Sequence, residues 1–134
     1  MAFEANQVYI NIPVKNVDAS ISFFRELGFE FNADYTDDNA ACMVVNNNTF
    51  VMLLVEEYFQ SFTKKEIVNA KESTEAILAI GVNRREEVDT LVEKALDSGG
   101  EASSDPVDHG FMYVSSFQDL DGHLWEVMSM EKKI

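Results

Sequence analysis

Gln7-Val-Tyr-Ile-Asn-Ile-Pro-Val14 alternates, with Val8, Ile10, Ile12 and Val14 on one side and Tyr9, Asn11 and Pro13 on the other. A period of two over this length reads as a strand with two unlike faces. The device returns in Ala76-Ile-Leu-Ala-Ile-Gly-Val82, which brings Val82 to the place of Val14 at a separation of 68 residues. A helix follows each copy. After the first, Asp18 is placed to cap a helix carrying Ile21, Phe24 and Leu27, and Gly28 supplies its left-handed exit. After the second, Val88, Leu91, Val92, Ala95 and Leu96 recur at helical spacing through residues 85–98, closed by Gly99-Gly100.

Outward from these units, residues 29–36, 40–45 and 49–55 read as strands, separated by the turn-prone Asp37-Asp38-Asn39 and Asn46-Asn47-Asn48. In the second half, residues 101–107 (interrupted by Pro106), 111–117 and 123–130 take those places, the last two joined through Asp121-Gly122. The last strands superpose at an offset near 74, matching Val51 with Trp125, Met52 with Glu126 and Leu53 with Val127. The prediction is therefore an α+β fold of two tandem βαβββ modules, forming a curved sheet around a cleft with the helices outside. Module 1 covers about residues 6–56, a linker 57–73 and module 2 about 74–130, within a single domain spanning 1–134. Thr63 and the polar stretch 64–71 predict a short helix in the linker, after the aromatic Tyr58, Phe59 and Phe62. The helix-facing set is Val8, Ile10, Ile12, Val51, Leu53, Val55, Leu78, Ile80, Trp125 and Val127. Tyr9, Asn11, Met52, Leu54, Ile77, Ala79, Leu124, Glu126 and Met128 take the opposite, cleft-facing side.

Composition narrows the function. A chain of 134 residues with 46% hydrophobic and 25% charged residues is neither a disordered tail nor a membrane protein. No apolar run reaches the roughly 18 residues of a spanning helix, and residues 1–7 lack the pattern of a signal peptide, so the expected location is cytoplasmic. The net charge of -14 repels phosphate backbones and anionic lipid, which argues against nucleic-acid and membrane partners and favours a cationic or neutral ligand. With one cysteine, Cys42, an internal disulfide and a cysteine-based zinc site are both impossible.

The duplicated pattern, together with the opening from Ile12-Pro-Val-Lys-Asn-Val-Asp18 to Phe24-Arg-Glu-Leu-Gly-Phe29 and the closing Phe117-Gln-Asp-Leu-Asp-Gly-His-Leu-Trp-Glu126, resembles the vicinal oxygen chelate superfamily. The resemblance is greatest to its glyoxalase and bleomycin-resistance branch, in particular to bacterial proteins described as predicted lactoylglutathione lyases. That superfamily holds metal-dependent isomerases, ring-cleaving dioxygenases, thiol transferases and metal-free drug-binding proteins on one scaffold, so the resemblance implies a fold more narrowly than an activity. It also implies a homodimer. Metal-dependent members carry His, Gln or Glu ligands at four positions related by the repeat, and the matching residues here are Tyr9, Met52, Ile77 and Glu126. Of these only Glu126 is a ligand of the usual type, so the implied site is metal-free and carries no cofactor.

Glu126 is the candidate catalytic residue, either a hydrogen-bonded carboxylate or a base that moves a proton next to a carbonyl. Tyr9 and Asn11 offer a phenol and an amide on the first strand, while Met52, Leu54, Ile77, Met112 and Met128 offer apolar ligand-binding surface. His109, in the loop before residue 111, is placed to supply a ligand, an acid or a substrate contact, or to remain a solvated loop residue. His123, by alternation, lies opposite Glu126 and reads as structural. Asp108, Asp119 and Asp121 read as turn acids that cap backbone amides. Two functions follow: a binding protein that holds a small organic molecule in the cleft, or a lactoylglutathione-lyase-like isomerase using a divalent nickel or zinc ion with Glu126 as base or ligand. A partner-binding module is a third reading that no local feature favours.

Overall fold

A computed structural model describes residues 2–131. The chain divides into two compact units, Met1–Ile67 and Val68–Ile134. Module 1 runs β1 (Val8–Val14), α1 (Val17–Glu26), β2 (Glu30–Phe31), β3 (Ala40–Asn46), β4 (Thr49–Val55) and α2 (Glu56–Gln60). Module 2 runs β5 (Ile77–Val82), α3 (Arg85–Asp97), β6 (Glu101–Ala102), β7 (Val107–Asp108), β8 (Met112–Gln118) and β9 (Leu124–Met130). The first sheet has the order β1-β4-β3-β2 and the second β5-β9-β8-β6, with β7 also pairing β8. In each module the first strand pairs in parallel with the last, which pairs antiparallel with the one before it.

The ladders carry the repeat residue by residue. Tyr9 pairs with Phe50 and Asn11 with Met52 in module 1, where Ile77 pairs with Leu124 and Ala79 with Glu126 in module 2. First strands are thus displaced by 68 positions and last strands by 74, as the sequence offsets predict. β8 follows the second offset, since Cys42 pairs with Met52 and Ser116 with Glu126.

Cores form where the helices lie. In module 1, α1 packs on β2, β3 and β4, and Phe23, Phe24, Met43, Val51 and Leu53 are buried. In module 2, α3 packs mainly on β8 and β9, and Trp125, Phe117, Val88, Ala95 and Val127 are buried, with the Phe117 and Trp125 rings stacked 6.1 Å apart. Burial of each of the larger aliphatic and phenylalanine side chains among these stabilises its module by about 1.5–3 kcal/mol relative to exposure.

Five expectations need correction. Asn16, rather than Asp18, caps α1, its side-chain oxygen accepting from the Ala19 amide at 3.0 Å. The strand expected over 29–36 stops at Phe31, because Asn32 accepts from the Asp34 amide and starts a 3-10 turn at Ala33–Tyr35. The linker helix lies upstream, at Glu56–Gln60, and residues 64–71 form none. There the Gln60 amide donates to the Thr63 and Lys65 carbonyls and the Thr63 hydroxyl accepts from the Lys65 amide, so side chains hold the backbone in turns. The strand expected over 101–107 splits into β6 and β7 around Pro106, since the Ser116 hydroxyl bonds both the amide and the carbonyl of Ser104 in place of a ladder. Finally, Val8 and Ile10 are exposed, because β1 is an edge strand and α1 packs on its neighbours instead.

Candidate functional site

Register-paired residues on neighbouring strands share a face. On module 2 this places Ala79, Glu126 and Ser116 in one row across β5, β9 and β8. The rows on either side are Ile77, Leu124 and Gln118, and Gly81, Met128 and Val114. Glu126 is therefore the one ionisable residue that these three strands present on this face, and its neighbours in the row are small. Its carboxylate is half-buried, and among the described residues of its module no hydrogen bond or ion pair reaches it. Such a carboxylate stands ready to accept from a donor supplied by a ligand.

The equivalent rows of module 1 are Asn11, Met52 and Cys42; Tyr9, Phe50 and Val44; and Pro13, Leu54 and Ala40. Met52 fills the place of Glu126, and Leu54 is only 3% exposed. Tyr9 stacks on Phe50 with ring centroids 5.4 Å apart, and its hydroxyl donates to the Gln7 side chain. Burial pushes the Cys42 thiol up from its ordinary range, which keeps it protonated and unreactive.

The donor set at the four repeat-related positions does not fit a divalent ion. Tyr9 supplies a phenol already bonded to Gln7, Met52 a soft thioether, Ile77 no lone pair and Glu126 one carboxylate. Moving the first-strand positions by two, to Asn11 and Ala79, adds an amide oxygen and nothing else. Among the described residues no group of three or more His, Cys, Asp or Glu side chains is placed to hold a metal ion.

Two of the turn acids, Asp119 and Asp108, cap backbone amides. Asp119 is 5% exposed, one oxygen accepting from the amides of Asp121 and His123 and the other from the Trp125 indole at 3.0 Å. Burial pushes its carboxyl above the ordinary range, opposed by the charge of His123 and by these hydrogen bonds. Asp108 receives Arg85 in a two-point ion pair at 2.6 and 3.2 Å and also accepts from the Gly110 amide. Arg85 holds the Asp108 carboxyl below its usual range.

Sequence reasoning missed the group around Arg85. Its guanidinium also donates to the Gly110 carbonyl and lies 5.4 Å over the Tyr113 ring, whose hydroxyl donates to Asp89 at 2.6 Å. No local motif marks it, because α3 supplies Arg85 and Asp89 while β7, β8 and the turn between them supply the rest. The group braces the turn that carries His109, which is exposed, with its amide bonded to the Met112 carbonyl. A separate open concavity of about 450 Å³ in module 1 is lined by Glu56, Glu57, Gln60, Glu66 and Ile67, and holds none of the sequence-predicted site residues.

A duplicated βαβββ scaffold with a carboxylate on the last strand of its second copy defines the class of protein. The chain belongs to the Glyoxalase/Bleomycin resistance protein/Dioxygenase superfamily, whose family profile matches residues 6–127. Among solved structures it is similar to hypothetical protein SA1046 from S. aureus, with 28% identity, a TM-score of 0.80 and 95% of each chain covered. It also resembles a glyoxalase-related enzyme from Fulvimarina pelagi, at 18% identity and a TM-score of 0.80, covering 92% of this chain and 87% of that one. A glyoxalase/bleomycin resistance protein/dioxygenase family enzyme from Burkholderia phytofirmans PsJN matches at 16% identity and a TM-score of 0.75, over 91% and 96%. The two latter likenesses are of fold. A search of curated proteins finds no match. Among the described residues no helix is long and apolar enough to cross a membrane.

Proposed function

We propose that this protein binds a small organic molecule against the Glu126 face of module 2, without the four-ligand metal centre of metal-dependent relatives. One observation carries the proposal: the half-buried Glu126 carboxylate stands in a row of small side chains, with no partner among the described residues of its module. Ile77, Met112 and Met128 supply apolar contacts and His109 a polar one at the edge; on the equivalent face of module 1, Tyr9, Asn11 and Met52 are the corresponding residues, while Leu54 is buried. A fragment panel with cationic, neutral and anionic members, followed by backbone amide shifts, tests it. Ligands should perturb Ala79, Ser116 and Glu126, and Glu126→Gln should weaken the best by about tenfold, as expected for a lost charge-assisted hydrogen bond. A panel that leaves this face unmoved sinks the proposal.

The same carboxylate supports a second reading, in which Glu126 is the base of a lactoylglutathione-lyase-like isomerisation. Hemithioacetal turnover, measured with and without added nickel or zinc, should then be abolished in Glu126→Gln; unchanged turnover in that variant removes the reading. The proposal further includes a homodimer in the cytoplasm, which light scattering of the eluting protein and cell fractionation would check.

A further inference from the structure

We propose that the ligand is an amphiphile, with a cationic or hydrogen-bond-donating head at Glu126 and an apolar body lying along β8 and β9 toward the turn at residues 109–111. The inference rests on the Glu126 face being the ligand site and adds a ligand class and a direction. Two directions along the strands lead away from Glu126 on this face, and they differ. Toward Ile77 and Leu124 the apolar surface is one row deep, and that row also carries Gln118 and its strand partner Glu101. In the other direction it continues for two rows, through Gly81, Met128, Val114 and Val107, then Met130 and Met112. At about 3.3 Å per residue these rows lie about 7 and 13 Å beyond Glu126, which sets the length of the body.

Three features of this surface suit such an occupant. Met112, Met128 and Met130 are half-buried and adaptable, and Val107 is 44% exposed. The turn beneath them is braced from the helix side by Arg85, through Asp108 and the Gly110 carbonyl, so it is held in place before anything binds. Charge favours a cation, because Glu126 is the only ionisable group of β5, β8 and β9 on this face and the chain as a whole carries -14.

The test uses straight-chain alkylammonium ions from butyl to octyl, below micelle formation, with the full chain labelled at the methionine methyls. Affinity should rise about two- to fourfold per added methylene, as for partial to full burial of each group. The methyls of Met112, Met128 and Met130 should shift, and that of Met43, buried on the helix side of module 1, should not. Glu126→Gln should remove the preference for the ammonium over the alcohol of equal length, and Arg85→Gln should reduce the gain from the longer chains. Affinity independent of length, shifts confined to Ile77 and Leu124, equal binding of alkyl carboxylates, or no binding by the series would each overturn the inference. If the mixed panel still perturbs the Glu126 face while the series fails, only the ligand class and direction fall; if nothing of any class perturbs that face, the underlying proposal falls with them.

Discussion

The two modules share a backbone ladder and differ in what they hang on it. Near the middle of the last strand, module 1 carries Met52 beside Asn11 and Cys42, and module 2 carries Glu126 beside Ala79 and Ser116. On the opposite, helix-covered side, Val51 in module 1 becomes Trp125 in module 2, stacked on Phe117 and bonded to the buried Asp119. Duplication conserves register because a slip of one residue would exchange the two faces. Within that register each face diverges independently. Module 2 has acquired a polar anchor inside its core, at the turn that leads directly into the strand bearing Glu126.

The sharpest way to break this contrast is to truncate the paired positions. Trp125→Ala should cost about 3–5 kcal/mol, the range for a buried tryptophan, and it also leaves an Asp119 oxygen without its donor. Val51→Ala should cost roughly 1–3 kcal/mol, since only two methyl groups are lost. Equal midpoint shifts in urea unfolding would mean that the larger side chain brings no additional stability to module 2.

Asp119 gives the contrast a pH dependence. Its folded-state carboxyl is raised by burial, so the folded chain binds this proton more tightly than the unfolded chain does. The ionised form is therefore disfavoured in the fold, and the Asp119 contribution improves as pH falls through the raised value toward the ordinary 3.8. Unfolding of the wild type and Asp119→Asn, compared from neutral pH downward, should show the wild type gaining relative to the variant. A gap that narrows on acidification would show that the hydrogen bonds from Trp125 and the two turn amides outweigh burial.

A matched pair of glycines sharpens the comparison at the helix exits. Gly28 after α1 and Gly99 after α3 have φ of 106 and 109°. A side chain in the left-handed region costs about 1–2 kcal/mol at either. The surroundings differ, because a Cβ on Gly28 would meet nothing within 4 Å and one on Gly99 would lie 3.1 Å from the Leu120 side chain. Gly99→Ala should therefore melt lower than Gly28→Ala, and equal melting temperatures would show that Leu120 moves aside freely.

What the sequence disclosed follows from range. Alternation and helical spacing are local, and they placed β1, β3, β4, β5, β8, β9 and both long helices to within a residue or two. The offsets of 68 and 74 reappear in the ladders because register copies sequence spacing directly. Short elements failed where one side chain captured the backbone: Asn32 ended β2, Gln60 organised the linker and Ser116 displaced a ladder at Ser104. The placement of Glu126 and Met128 on one face was legible from alternation alone. Arg85 was not, since its partners Asp108, Gly110 and Tyr113 lie more than twenty residues away. A pairing of that kind leaves no period for the sequence to show.

The smallest expected effect concerns how the two helices begin, and it tests whether the modules exchange parts at equivalent positions. Asn16 and Arg84 are separated by the repeat distance of the first strands and stand at the N-caps of α1 and α3. Asn16 accepts from the Ala19 amide, whereas Arg84 makes no capping hydrogen bond and sets a positive charge against the positive end of the helix dipole. Asn16→Arg should cost about 1 kcal/mol. Arg84→Asn should return a comparable gain, less the ion pair of Arg84 with Glu87, which at 3.4 Å and largely exposed is worth no more than about 0.5 kcal/mol. The double exchange should then melt close to the wild type. If Arg84→Asn stabilises nothing, the α3 terminus is already satisfied by water, and the caps have diverged without consequence where the strand faces have not.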